Sequence, residues 1–344
     1  MNVLSLFDGI SCARVALDRA GIEVNAYMSA EIDKNAIKIS EKNYPDIIRV
    51  GSVVGLEVEG QIDLLIGGSP CQDLSIAKKD RKGLEGDRSG LFWEYVRIKK
   101  ECNPQWFILE NVASMPKADR DIITREMGVE PVMFNASLVS AQSRKRLFWT
   151  NIPFDLPEDR GILLKDILQP DGEVDERMVV KGKAYTLTAS YSKATPSPAQ
   201  VEHNIEKGQR TMVLSKHQQT NLRETDQKAH TLCSTMHKGS HANGTTLIKV
   251  GHIGNTNSQG NRVYDTDGKS VTLSAHGGGL GAKTGLYKSE DRIRKLTPIE
   301  CERLQGLPDN YTEGVATTNR YKCLGNAFNV DVVAHILGRI KLMY

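Results

Sequence analysis

Apolar residues come in short runs through the first 150 positions, and polar turns cut each run off. Val3–Phe7 is one run, closed by Asp8-Gly9; a helical stretch from about Ala13 to Ala20 follows and stops at Gly21. Val24–Ala30 reads as a second strand, ended by the acidic Glu31 and followed by a helix through Ala36 and Ile39. Ile62–Ile66 is a third strand, stopped by two glycines. Leu91–Lys100 has helical spacing, and Trp106–Leu109 is a fourth strand ending in Glu110-Asn111. Val132–Asn135 and Leu147–Trp149 add two more. Strands alternating with helices predict an α/β fold with a mostly parallel, doubly wound sheet. Ligands of such sheets sit beyond the carboxyl ends of the strands. Asp8, Glu31, Cys71 and Glu110 all fall just past predicted strand ends, so the pattern brings them to one edge.

From about Pro153 the long apolar runs vanish, and Gly, Thr, Ser, Asn and His take over. Seven of the eight histidines lie between residues 203 and 276, so this stretch differs in kind from the first. A weak repeat runs through it, Lys183-Ala-Tyr-Thr-Leu, Lys228-Ala-His-Thr-Leu and Lys269-Ser-Val-Thr-Leu, the last two preceded by Thr-Asp. Short Thr-rich strands after turns predict a small β-rich unit. Helical texture returns near Ile293, where Thr297-Pro-Ile-Glu-Cys carries an N-terminal cap signature, and a last helix spans about Val330 to Lys341. The expected organisation is a first domain over 1–152, an inserted β-rich domain over 153–289, and C-terminal helices over 290–344 that rejoin the first domain.

Composition changes this picture little. The chain has 344 residues, 39% hydrophobic and 25% charged, with a net charge of +3, as an ordinary globular protein has. The slight positive balance permits nucleic acid as a partner without arguing for it. No segment approaches the ~20 apolar residues of a membrane span, and the N-terminus lacks the basic start of a signal peptide. Six cysteines lie far apart with no CxxC pair, which points to a reducing cytoplasm rather than a disulfide framework.

The chemistry concentrates in a few places. Phe7-Asp8-Gly9-Ile10 is a strand running into a glycine turn and then a helix, the arrangement by which backbone approaches a nucleotide-type ligand. The GxGxxG dinucleotide fingerprint is absent. Glu31 is placed to accept from ribose hydroxyls, although a surface glutamate beside a helix cap gives the same pattern. Cys71 sits on a proline turn at a strand end, where a core thiol is least expected. Lys78, Lys79, Arg81, Lys82 and Arg88 follow it and favour the thiolate, and Gly83, Gly86 and Gly90 let that loop move as a lid. Glu110 shares the sheet edge. Arg144 and Arg146, two apart, point the same way from an extended chain and read as an anion or carbonyl clamp, or as a solvated basic edge. His230, Cys233, His237 and His241 have tempting spacing, but clear ligand pairs are lacking and no metal site is assigned.

In order along the chain, Phe7-x-Gly9, Glu31, Pro70-Cys71-Gln72, Glu110-Asn111-Val112, Gln142-x-Arg144-x-Arg146 and Gly325-Asn326 resemble the cytosine-5 DNA methyltransferases. The resemblance covers 1–152 and roughly 290–344, and the stretch between sits where that family has its variable target-recognition domain. Leu4–Ile10, Gly67–Ser75 and Asn135–Ala141 look most like the animal de novo branch, while the short chain looks bacterial or phage-encoded. The resemblance implies a Rossmann-like sheet binding S-adenosyl-L-methionine and double-stranded DNA as partner. It implies catalytic roles for Cys71 as nucleophile, Glu110 at ring nitrogen 3, Arg146 at the base carbonyl and Arg144 as its support. Around the cofactor it implies Phe7, Asp8, Gly9, Ile10, Glu31, Ile32, Ser52, Val53, Pro70, Leu91, Asn326 and Ala327. Ser52 departs from the acidic residue of many members, and Ala327 from a serine. A cytoplasmic, nucleoid-associated enzyme is expected, with a cognate restriction endonuclease and the oligomeric state left open. A tRNA cytosine-5 methyltransferase and a non-catalytic DNA-binding regulator are the alternatives. The target sequence is not legible.

Overall fold

A computed structural model of the chain describes residues 1–70, 91–170, 173–174, 249–252, 261–275, 281, 283–289 and 292–343. Seven strands form one sheet: β1 (Asn2–Leu6), β2 (Ala26–Ala30), β3 (Ile48–Gly51), β4 (Leu64–Gly67), β5 (Trp106–Val112), β6 (Val132–Asn135) and β7 (Lys145–Thr150). Their order across the sheet is β3-β2-β1-β4-β5-β7-β6. The first five are parallel, and β7 runs antiparallel to both β5 and β6. The chain order reverses between β1 and β4, and a crevice opens beyond the strand ends at such a switch point.

Side chains alternate along each strand and feed two hydrophobic clusters, one on either face. Val3, Leu64, Ile66, Ile108 and Phe148 enter one; Leu4, Leu6, Leu65, Leu109 and Trp149 enter the other. Helices α1 (Cys12–Ala20) and α2 (Lys34–Asn43) pack on the first face, and α3 (Phe92–Cys102) and α4 (Lys117–Met127) on the second. Gly21 closes α1 in the left-handed conformation, and the Asp33 side chain caps α2 by accepting from the amides of Asn35 and Ala36.

Two elements escape the hydrophobic pattern. Strand β3 is an edge strand whose first and last residues are exposed and which carries Arg49, so it shows no apolar run. Helix α4 buries only Ile123 and Met127, a stripe too narrow to stand out. One expectation is corrected. Glu110 lies inside β5, not past its end. The parallel partner β4 stops at Gly67, opposite Leu109, but β7 goes on pairing Glu110 with Phe148 and Asn111 with Leu147.

The C-terminal helices are α5 (Pro298–Leu304), α6 (Thr317–Asn326) and α7 (Val330–Leu337), and their apolar residues join the cluster that holds α1. The cap read at Thr297 is present as a reciprocal box with Glu300, with Pro298 in the first turn. The last helix ends at Leu337, short of Lys341, and a 3-10 turn over Ile340–Met343 follows. A second sheet carries β8 (Lys249–His252), β9 (Arg262–Asp265), β10 (Leu286–Ser289) and β11 (Arg292–Arg294) in the order β11-β10-β9-β8. Tyr264, Val271, Leu273 and Tyr287 from this part pack into the main core. The first two repeat copies lie outside the described residues. The third is seated by Lys269, almost fully buried, whose Nζ donates to the carbonyls of Ser137 (2.8 Å) and Ile162 (2.6 Å). Among the described residues, no helix is long and apolar enough to cross a membrane.

Candidate active site

The turn after β1 is built on unusual backbone. Phe7, Gly9 and Ser11 have φ of 56°, 59° and 59°, and left-handed backbone is uncommon for a bulky residue. A Cβ placed on Gly9 would meet nothing within 4 Å, so the space above the turn is open. Glu31 leans back over it. One carboxylate oxygen accepts from the Gly9 amide, and the other from the amides of Ile32 and Asp33, each at 2.8 Å. A carboxylate has about four acceptor sites, so these leave about one for a ligand hydroxyl. Ile32 beside it is 72% exposed, a large apolar side chain without cover.

The other residues expected at the cofactor divide by depth. Ser52 and Asn326 are exposed, and Pro70 and Leu91 half-buried. The Ser52 hydroxyl accepts from the Val54 amide at 3.1 Å. Ile10, Val53 and Ala327 are buried. Asp8 is buried too, and its carboxylate turns away from the crevice toward Ser11, Tyr27 and Ser29. The exposed Ile32, the open turn and the carboxylate at the second strand end suit a nucleoside with an apolar ring and ribose hydroxyls.

At β5 the Glu110 carboxylate meets Arg146 Nε at 2.8 Å, with both side chains largely buried. Glu110, Arg144, Arg146, Phe134, Phe148 and Phe328 line one narrow pocket. Gly68 fits against its wall only because it has no side chain. A Cβ there would lie 2.8 Å from Phe328 and 3.0 Å from Glu110 Oε2. Asn111 holds the same segment, donating to the Ser69 hydroxyl at 3.1 Å. The chain is thus fixed against Glu110 and Asn111 at Gly68 and Ser69; Cys71 and its basic loop lie outside the described residues.

The two arginines line the same pocket but do different things. Arg146 holds the carboxylate. Arg144 is buried and donates to three backbone carbonyls, those of Leu273 (3.3 Å), Gly325 (3.2 Å) and Ala327 (2.9 Å). It ties the start of β7 to the segment between β9 and β10 and to the end of α6. Of four other thiols, Cys12, Cys301 and Cys323 are core groups and Cys102 is half-buried: burial pushes Cys12 and Cys301 well up, raises Cys102, and takes Cys323 up to about 12. Burial thus disfavours the thiolate at each of the four. An open cleft of about 340 Å³ lined by Val132, Phe154 and Arg339 holds none of these site residues.

The sequence profile of the C-5 cytosine-specific DNA methylases matches residues 1–342. The chain belongs to that family. It is a DNA (cytosine-5-)-methyltransferase, with S-adenosyl-L-methionine as methyl donor and DNA as substrate. This methylase is 28% identical to the Type II methyltransferase M.HhaI of Haemophilus parahaemolyticus, over 98% of this chain and 93% of that one. It is 30% identical to the orphan methyltransferase M.Rho11sI of Bacillus phage rho11s, over 85% of this chain and 61% of the phage protein. Its fold matches that of the Entamoeba histolytica methyltransferase EhMeth with a TM-score of 0.64 at 14% identity, covering 100% of this chain and 99% of the other.

Several residues that shape the methylase site gave no sign in the sequence reading. Phe328, Tyr27 and Ser29 act through tertiary contacts with residues distant in the chain.

Proposed function

We propose that the chain methylates carbon 5 of cytosine within one specific DNA sequence, through covalent addition of Cys71 to carbon 6 of a base flipped out of the duplex. The observation that carries this reading is the Glu110–Arg146 pair with Gly68 packed against it, three residues before Cys71 in the chain. A stacked base cannot reach such a pocket, so it must leave the helix. The Cys71 sulfur bonds to carbon 6 while Glu110 shares a proton with ring nitrogen 3 and Arg146 faces the base carbonyl. The electron density displaced by the thiolate then makes carbon 5 nucleophilic. Bound S-adenosyl-L-methionine supplies the electrophilic methyl group. Water takes the carbon 5 proton, the Cys71 thiolate leaves carbon 6, and the proton at nitrogen 3 returns to Glu110, which restores the aromatic ring. Phe7, Gly9, Glu31, Ile32, Ser52 and Asn326 line the cofactor crevice, and the inserted residues 153–289 read the target site.

Bisulfite sequencing of DNA from cells expressing the chain should show protected cytosines in one sequence context, and none with Cys71→Ser, because an alkoxide forms far less readily than a thiolate. Wild-type levels of protection by the serine variant would defeat the covalent mechanism. The same assay on cellular tRNA tests the RNA alternative.

A further inference from the structure

The Asp8 carboxylate sits under the strained turn yet faces away from the crevice. It accepts from the hydroxyls of Ser11 (2.5 Å), Tyr27 (2.6 Å) and Ser29 (2.8 Å), while the Asp8 amide donates to the Ala30 carbonyl. Hydroxyls alone do not neutralise a buried carboxylate, and such a charge is costly unless it is paired. The compensating charge arrives indirectly. Arg49 on β3 donates to Ser29 Oγ at 3.1 Å and to Ser40 Oγ at 2.7 Å, and the Ser40 and Ser11 hydroxyls are in contact.

Chemistry fixes the direction of every bond in this network. A carboxylate only accepts and a guanidinium only donates. Ser29 therefore accepts from Arg49 and donates to Asp8. Ser40 accepts from Arg49 and donates to Ser11, and Ser11 donates to Asp8. Burial, reinforced by the adjacent Asp8, raises the Tyr27 pKa, so the phenol keeps its proton and donates. Two relays thus run from one cation to one anion and end beneath Phe7 and Gly9. Left-handed backbone at Phe7 and Ser11 persists only where surrounding bonds over-determine it. Asp8, the residue between Phe7 and Gly9, is the anchor that does so.

We propose that Asp8 is a positioning residue for the cofactor, held through Ser29, Ser40 and Ser11 by Arg49, and that it shapes the Phe7–Gly9 turn without touching the ligand. This rests on the reading of that turn as part of the S-adenosyl-L-methionine site. Without the anchor the turn relaxes in the free protein, and binding must restore its strain.

The test measures S-adenosyl-L-methionine binding to the full chain by calorimetry. Asp8→Asn and Arg49→Met should each raise Kd by roughly tenfold, which at about 1.4 kcal/mol per decade matches the strain of one left-handed residue. Arg49→Lys should recover most of the loss, since it returns the charge. Hydrogen exchange at the Gly9 amide in ligand-free protein should quicken in the two weakened variants. If Asp8→Asn does not fold, Arg49→Met decides, because Arg49 is half-exposed on an edge strand. Melting temperatures that fall while Kd and Gly9 exchange stay at wild-type values would overturn the proposal and leave a merely structural network. A wild-type chain that fails to bind S-adenosyl-L-methionine would instead refute the site reading, and the inference with it.

Discussion

Replacing Gly325 by alanine should break the junction between the end of α6 and the segment between β9 and β10. An alanine Cβ there would lie 2.2 Å from the Ala275 amide nitrogen and 2.4 Å from the Ser274 carbonyl carbon, whereas ordinary contact begins at 3.4 Å. Both neighbours are backbone, so no side chain can rotate away, and the segments must part by about 1.2 Å. Arg144 spans the same seam, on Gly325 O at 3.2 Å and Leu273 O at 3.3 Å, and bonds already that long do not survive such a movement. Overpacking typically costs about 1–3 kcal/mol and the loss of two such long bonds about 1 each, so a combined loss on the order of 3–5 kcal/mol is expected. At about 2 °C per kcal/mol for a chain of this size, the melting temperature should fall by roughly 6–10 °C in calorimetry. The sign is diagnostic. Glycine to alanine in an open helix would stabilise by about 0.5–1 kcal/mol, so a fall isolates the clash. A Gly325→Ala protein that melts at or above the wild-type temperature would refute the reasoning.

Two further outcomes follow from the structure. Replacing residues about 155–288 by the matching segment of a relative should move methylation to that relative's sequence context, read by bisulfite sequencing; a folded, cofactor-binding chimera that keeps the original context would place specificity in the first domain. The Lys322–Asp33 pair, 2.7 Å apart at the cap of α2, should make stability depend on pH. Burial would raise the Asp33 pKa, but the Lys322 ammonium and the Asn35 amide outweigh it and hold the carboxyl below its usual 3.8. The hydrogen bond to Asp33 in turn lifts Lys322 above its usual 10.5. The pair therefore contributes fully between those usual values, is lost as pH falls through the depressed Asp33 pKa, and is lost again as pH rises through the raised Lys322 pKa. Both side chains are part-exposed, so the contribution is about 0.5 kcal/mol and screened by salt. Urea unfolding should show a gap between wild type and Lys322→Met at pH 7 that closes in strong acid; a gap that persists unchanged there would exclude the pair as its cause.

What the chain displays in sequence is its periodicity and its punctuation. Parallel strands buried on both faces read as apolar runs, and Gly21, Gly67-Gly68 and Thr297-Pro298 mark where elements begin and end; these carried the sheet and most helices. An edge strand such as β3, with exposed ends and an arginine inside, carries no such run. The extension of β5 through Glu110 depends on an antiparallel partner some 40 residues later in the chain, which no local pattern reveals. The same limit governs the site. Glu31 follows a strand end, whereas Glu110 was marked only by the apolar run before it and Arg146 by its spacing to Arg144. That Asp8 faces inward and Arg144 grips three carbonyls follows from contacts with distant residues, and spacing along the chain contains neither fact.

The central claim is that Cys71 forms a bond to the target base. DNA carrying 5-fluorocytosine at the recognised site tests it directly, because fluorine at carbon 5 cannot leave as a proton does and the covalent intermediate is trapped. With S-adenosyl-L-methionine present, covalent catalysis by Cys71 requires a denaturation-resistant protein–DNA adduct that peptide mapping assigns to that residue. Efficient methylation of the unmodified site, with no adduct on the fluorinated one or with an adduct on another residue, would contradict it.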